Sequence, residues 1–170
     1  GNGLITYTIL PNNISNITGL FPNLIAGTYT INAVDANGCS VSTIAIVTSP
    51  AQLVLASISS TNITCNGGTN GSITAVVTGG QGAINYNLQP GNLNNLTGLF
   101  TGLAVNVYTL TATDANGCTV STTVNITQPT PVIWANITQT DVSCNGGNNG
   151  AITVLATGGG APMDYNIQPG

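Results

Sequence analysis

The chain has 170 residues, 42% of them hydrophobic, with no lysine, arginine or histidine and only four acidic residues, Asp35, Asp114, Asp141 and Asp164. Without cations it cannot neutralise nucleic-acid phosphates or be drawn to an anionic membrane surface, and without histidine or glutamate general acid–base catalysis would fall to isolated aspartates. Charged residues make up 2% of the chain, against about 25% in an ordinary soluble domain, so little repulsion opposes association between copies.

The first informative stretch is "DANGC" at 35–39, which returns unchanged at 114–118, an offset of 79. Sliding the whole chain by that offset aligns it with itself without a gap: 3–39 lies over 82–118, 62–81 over 141–160 and 84–91 over 163–170. A fixed period over this length marks a repeat array. Its phase divides the chain into residues 1–50, the later part of one repeat, 51–129, one full period, and 130–170, the opening of the next. Residues 1–12 and 159–170 cover the same part of the unit, which suggests an excerpt of a longer chain. "DANGC" itself reads as a hairpin turn, with Asn116 and Gly117, and likewise Asn37 and Gly38, supplying the two positive-φ positions of a type I′ turn. A calcium loop opens similarly, but needs further acidic oxygens and a distal glutamate, and the chain offers none.

Within the full period the next element is "LVLASIS" at 53–59. Val54, Ala56 and Ile58 are expected to face the core. Leu53 and Leu55, with Val132 and Trp134 at the same positions one period on, then point outward as inter-unit contacts. A strand buried on both faces inside its own repeat is the competing reading. "GSITAVVTG" (71–79) sets Ile73, Ala75 and Val77 on one face. "NVYTLTATDA" (106–115) does so with Tyr108, Leu110 and Ala112, and "CTVSTTVNIT" (118–127) with Val120, Val124 and Ile126. These are period-two patterns rich in β-branched residues. Separated by GG, NG and PG turns, they predict an all-β chain of tandem immunoglobulin-like β-sandwich repeats, each of about seven strands, arranged end to end.

Each period holds two cysteines, Cys39 and Cys118 after the NG turn and Cys65 and Cys144 in "CNGG". With no C-x-x-C spacing and no histidine they do not form a metal site, and no cofactor is implied. Disulfides, and an oxidising compartment, are the expectation. An odd number of strand passes separates Cys65 from Cys118. Two passes separate Cys118 from Cys144, which favours Cys39–Cys65 and Cys118–Cys144 if the chain folds back through "QPTP" (128–131). If it runs on into the next unit, that pairing is impossible. Such a loop would stabilise the unit by about 3–4 kcal/mol.

The ordered pattern "CNGGTNGSITAVVTGG … GLFTGLAVNVYTLTATDANGCTVSTTVNITQP" resembles the SprB-type repeats of Bacteroidota surface proteins. The copy "AGTYTINAVDANGC" at 26–39 is nearer the pattern than 104–118, where the Gly-Thr before Tyr108 is replaced. The resemblance implies export to the cell surface, often by the type IX system, a role in adhesive filaments, in some cases those of gliding cells, and no catalytic residues. The expected function is a non-catalytic structural or adhesive extracellular fibre, partnered by neighbouring repeats and by other copies of the chain, with no membrane insertion in this segment. A carbohydrate-binding surface module is the alternative, with surface glycans as ligands and Trp134 and the tyrosines as candidate platforms. The tyrosines, Tyr7, Tyr29, Tyr86, Tyr108 and Tyr165, fall mostly at inward strand positions, so they suit core packing better. Seven N-x-S/T sequons, at Asn13, Asn16, Asn62, Asn70, Asn95, Asn125 and Asn136, leave glycosylation as a further solubilising device.

Overall fold

The computed structural model describes residues 3–168; Gly1, Asn2, Pro169 and Gly170, at the outer limits of the 1–50 and 130–170 segments, lie outside the described residues. The chain is all-β. Its strands run β1 (Thr6–Leu10), β2 (Ile14–Asn16), β3 (Gly27–Val34), β4 (Ser40–Val47), β5 (Val54–Thr61), β6 (Gly71–Thr78), β7 (Asn85–Gln89), β8 (Leu93–Asn95), β9 (Leu99–Leu103), β10 (Asn106–Thr113), β11 (Thr119–Ile126), β12 (Ile133–Thr140) and β13 (Ala151–Thr157). By contact density it separates into two units, Gly1–Ala51 and Gln52–Gly170.

Seven strands of the second unit, β5 to β11, form a two-layer sandwich. One sheet has the order β5-β6-β9 and the other β11-β10-β7-β8, with every neighbouring pair antiparallel. This is the three-plus-four arrangement of an immunoglobulin-like sandwich, as the alternating runs predict. The expected faces of β6, β10 and β11 are the observed ones. Ile73, Ala75, Tyr108, Leu110, Ala112 and Ile126 are buried with Tyr86, Leu88, Phe100, Leu103 and Ile63 in one cluster, and Val77, Val120 and Val124 pack against it. Side chains alternate along a strand, so these positions meet at the interface between the sheets while Thr109, Thr123 and Asn125 face solvent.

The rest of the chain repeats parts of this sandwich. In the first unit β1, β2, β3 and β4 occupy the positions of β7, β8, β10 and β11, shifted by 79, and pair in the same order, β2-β1-β3-β4. At the other end β12 and β13 form a sheet of their own and reproduce β5 and β6, down to a bulge between Trp134 and Asn136 that matches the one between Leu55 and Ser57.

That bulge corrects one expectation. Leu53 and Leu55 do not face outward: Leu53 is 6% exposed, and Leu55 packs against the core, whereas Val54 is exposed. The extra residue at Ala56 shifts the alternation, so that Ile58 comes opposite Ala75, but Ala56 and Ile58, expected in the core, are both exposed. A strict period-two count across a bulge inverts one side of it.

Candidate functional site: the two ends of the repeat

Among the described residues no cluster of three or more His, Cys, Asp or Glu side chains could hold a metal. The organised polar chemistry lies instead at the two ends of the sandwich, where the chain enters and leaves.

At the entry end the "DANGC" turn joins β10 to β11. Gly117 N–H donates to the Asp114 carbonyl (3.1 Å) and Asp114 N–H to the Cys118 carbonyl (3.0 Å). Gly117 alone carries a positive φ, 83°. The turn is therefore a type I turn closed by a left-handed glycine, not the expected type I′ turn. Asp114 supplies the reason. Its Oδ1 accepts the N–H groups of Asn116 and Cys118, both at 2.9 Å, so the carboxylate holds Asn116 in an Asx-type turn. In the first copy Asp35 Oδ1 accepts from Asn37 (3.0 Å) and Cys39 (2.9 Å) in the same way. Asp114 also reaches across the end of the sandwich. Its Oδ2 accepts Gln81 N–H at 2.9 Å, and Ala115 N–H donates to the Gln81 carbonyl, also at 2.9 Å. Leu53, the first core residue, sits here: a Cβ on Gly80 would stand 2.8 Å from Leu53 Cδ1 and 2.9 Å from Asp114 Oδ2.

These bonds favour the charged carboxylate. The Gln81 N–H, ahead of an opposing effect from burial and with help from Cys118 and Asn116, holds the Asp114 pKa below its ordinary value. A group with a depressed folded pKa stabilises the fold above its unfolded pKa, about 3.9, and that contribution disappears as pH falls through the folded value. Asp114→Asn is therefore expected to lower the urea midpoint at neutral pH, because an amide N–H₂ cannot serve both turn and Gln81 as acceptor. The gap to the parent chain should narrow as pH drops below about 4. A gap independent of pH would contradict the carboxylate's role.

The exit end lies at the far side of β5 and β11. Ile63 N–H donates to the Thr127 carbonyl (2.9 Å), and Thr127 N–H donates to Asn62 Oδ1 (3.0 Å). The "CNGG" loop continues the clasp: Asn66 Nδ2 donates to the Pro129 carbonyl (2.9 Å), and Gly67 N–H to Gln128 Oε1 (2.8 Å). The loop is braced internally by Gly68 N–H on the Cys65 carbonyl (3.0 Å) and by Asn70 Nδ2 on Thr64 Oγ1 (2.8 Å). Asn149 and Ser143 form the same brace one period later. Beyond the clasp, Gly159 N–H donates to the Thr130 carbonyl at 2.8 Å. Residues 127–130 are thus held one after another, first by the repeat they leave and then by the loop after β13. The sequence reading singled out Asn62 only as a sequon and gave Asn66 and Gln128 no part in holding the linker. One signal was available: Asp141 replaces Asn62 one period later, keeping an acceptor oxygen in place.

Cys39, Cys65, Cys118 and Cys144 are exposed thiols, and no disulfide joins any of them. Cys65 stands in the exit clasp and Cys118 in the entry turn, separated by an eight-residue strand, about 27 Å. A disulfide needs Cα atoms roughly 4.4–6.8 Å apart. Peptide maps of oxidised monomer should therefore contain no Cys65–Cys118 link, and finding one would overturn the strand order. The fold-back that would bring Cys144 to Cys118 is not formed, since β12 pairs with β13 alone.

Of the other residues singled out, Val132 and Trp134 are exposed, on the face that Leu53 and Leu55 bury one period earlier. Trp134 lies against Tyr165, with ring centroids 6.3 Å apart. Tyr29, Tyr86 and Tyr108 are buried, and the Tyr29 and Tyr108 hydroxyls donate to the Ile25 and Ala104 carbonyls. Three sequons have local structural roles. Asn95 Oδ1 accepts from Thr97 and Gly98 N–H while its Nδ2 donates to the Leu99 carbonyl, Asn16 repeats the pattern, and Asn70 braces the "CNGG" loop. Among the described residues no helix is long and apolar enough to cross a membrane.

Residues 57–93 and 136–170 match the SprB repeat family, and the two matches begin 79 residues apart, in register with the internal period. No curated protein matches the chain. SprB repeats are a structural rather than a catalytic family, associated with adhesin-type proteins of the cell surface. With its two matches set one period apart, the chain carries SprB repeats at 57–93 and 136–170.

Proposed function

We propose that the chain forms part of a structural, adhesive fibre at the cell surface, in which sandwiches of one 79-residue period, 51–129 in this chain, follow one another in line and catalyse nothing. The observation that carries this reading is the path of the backbone. It enters the sandwich at Leu53, beside Asp114 and Gly80, and leaves at Thr127, beside Ile63 and the "CNGG" loop. Entry and exit at opposite ends let units follow in series, and a hydrogen-bonded exit transmits a pull to the sheets instead of uncoiling the linker. Asparagine, threonine and glycine carry the solubility that charge does not.

Electron microscopy of native filaments tests the reading. A thread one sandwich wide, with an axial repeat of roughly 30–40 Å per period from strands about 27 Å long plus a short linker, is expected. Compact isolated particles would overturn it. Type IX export and a part in gliding are narrower forms of the same proposal. They require that a strain lacking type IX secretion retain the protein inside the cell, and that deletion of the gene stop cell movement.

The clasp makes its own prediction. Asn66→Ala combined with Gln128→Ala removes two exposed hydrogen bonds, so it should cost the repeat only about 1–2 kcal/mol. Backbone order parameters at 128–131 should nonetheless fall from rigid values near 0.85 toward 0.6. Unchanged order parameters would mean that the linker is held by something else.

A further inference from the structure

An Asn–Gly pair closes readily to a cyclic imide, because glycine has no side chain to shield the backbone nitrogen that attacks. The complete repeat carries three such pairs, Asn66–Gly67, Asn70–Gly71 and Asn116–Gly117, and they are held differently. Asn70 has both side-chain atoms on Thr64, its Oδ1 accepting the N–H (3.3 Å) and its Nδ2 donating to Oγ1 (2.8 Å). Gly117 N–H donates to the Asp114 carbonyl at 3.1 Å. Both locks are local to their loops. Asn66–Gly67 is locked from outside: Asn66 Nδ2 donates to the Pro129 carbonyl, 63 positions away, and Gly67 N–H to Gln128 Oε1, 61 positions away. These are the two nitrogens that imide formation uses, the one that leaves and the one that attacks, and both are tied to the linker.

We propose that Asn66 is a modification site gated by the linker: a closed clasp preserves its amide, and each opening of the clasp exposes it to deamidation. In the step, Gly67 N gives its proton to hydroxide and attacks Asn66 Cγ. The new C–N bond closes a five-membered succinimide, the Cγ–Nδ2 bond breaks, and Nδ2 takes a proton from water and leaves as ammonia, returning hydroxide. A further water opens the ring to an aspartyl or isoaspartyl residue at position 66. Water is the only co-reactant, and Asn66 and Gly67 are both exposed to it. The closed clasp opposes the reaction twice, since the Gly67 N–H must be freed before it can lose its proton and Asn66 must turn its amide away from Pro129 to meet the attack. Once freed, Gly67, with φ +76° and nothing within 4 Å of an added Cβ, has room to rotate into position. The product cannot re-form the clasp. A carboxylate has no N–H to give and sets oxygen against the Pro129 carbonyl oxygen, and the isoaspartyl form also lengthens the loop backbone by one carbon. Deamidation thus converts a reversible opening of the linker into a permanent one. It is a property of a single chain and goes beyond the filament reading, on which it does not depend.

The test incubates the whole 170-residue chain at mildly alkaline pH and follows the acid formed at positions 66 and 116 by peptide mapping with a protease that does not need basic residues. In the folded parent chain Asn66 should deamidate at least about 10-fold more slowly than in urea, because only the locally opened fraction reacts. Gln128→Ala frees the Gly67 N–H without touching Asn66. Losing that one hydrogen bond should speed deamidation at Asn66 by about 3- to 10-fold, while Asn116, locked within its own turn, keeps the parent rate. Asn66→Asp reproduces the product, and backbone order parameters at 128–131 should fall below the rigid value of about 0.85. The proposal is overturned if folded Asn66 reacts as fast as in urea, or if Gln128→Ala leaves its rate unchanged. Equal acceleration at Asn66 and Asn116 would mean that the whole sandwich opens rather than the clasp, and would overturn it too. So would a linker in Asn66→Asp as rigid as the parent's.

Discussion

Leu88→Ala is expected to destabilise the complete repeat by about 2–5 kcal/mol. Leu88 is fully buried on β7 and pairs across the sheet with Leu110, itself 1% exposed. Truncation removes the transfer free energy of the lost methyl groups and leaves a cavity that two hydrogen-bonded sheets cannot readily collapse. Natural domains hold roughly 0.05–0.15 kcal/mol per residue, which for one 79-residue period is about 4–12 kcal/mol, so this one change removes a large share. Leu93→Ala on β8, where the side chain is exposed, should cost less than about 0.5 kcal/mol. Chemical unfolding of the two variants separates core packing from surface apolarity. Equal losses would mean that the sheets are not packed as described.

Gly98→Ala should be comparably severe for a different reason. Gly98 sits just before β9 with φ +72°, and a Cβ there would drive into the Ala75 carbonyl oxygen and stand 3.2 Å from the Tyr86 ring. The position is also fixed by bonding: Ala75 N–H donates to the Gly98 carbonyl (2.9 Å), and Gly98 N–H to Asn95 Oδ1 (2.8 Å). The methyl group cannot be relieved without pulling the segment before β9 away from β6, so a loss of about 2–5 kcal/mol is expected. That sum combines a left-handed backbone penalty of about 1–2 kcal/mol with overpacking of about 1–3 kcal/mol. Gly117→Ala is the matched control. It has φ +83° but nothing within 4 Å of the added carbon, so only the backbone penalty applies. If both variants lose the same stability, the close approach of Gly98 to β6 is wrong.

Much of the fold is legible in the sequence because the relevant signals are local. Ile73, Ala75 and Val77, or Tyr108, Leu110 and Ala112, advertise their face through alternation within one strand, and an exact internal offset shows where the pattern begins again. Leu53 and Leu55 are misread because a bulge at Ala56 adds a residue that no apolar count can see. The turn type is misread because Asp114, not the Asn-Gly pair, decides it: a carboxylate accepting two backbone N–H groups stabilises a type I turn that Asn-Gly alone would not select. The exit clasp is illegible for another reason. Its bonds join residues 61 to 65 positions apart, and asparagine and glutamine in so polar a chain look like every other solubilising side chain until the sheets place them beside the linker.

Hydrogen exchange on the whole chain in dilute solution tests the central claim most directly, that strands β5 to β11 close a complete two-sheet sandwich within one period. Backbone amides in the hydrogen-bonded ladders of β6, β7 and β10, among them those of Ile73 and Leu110, should exchange together and slowest, near the global unfolding limit. Protection in β6, β7 and β10 no greater than in the short, exposed β8 would contradict it.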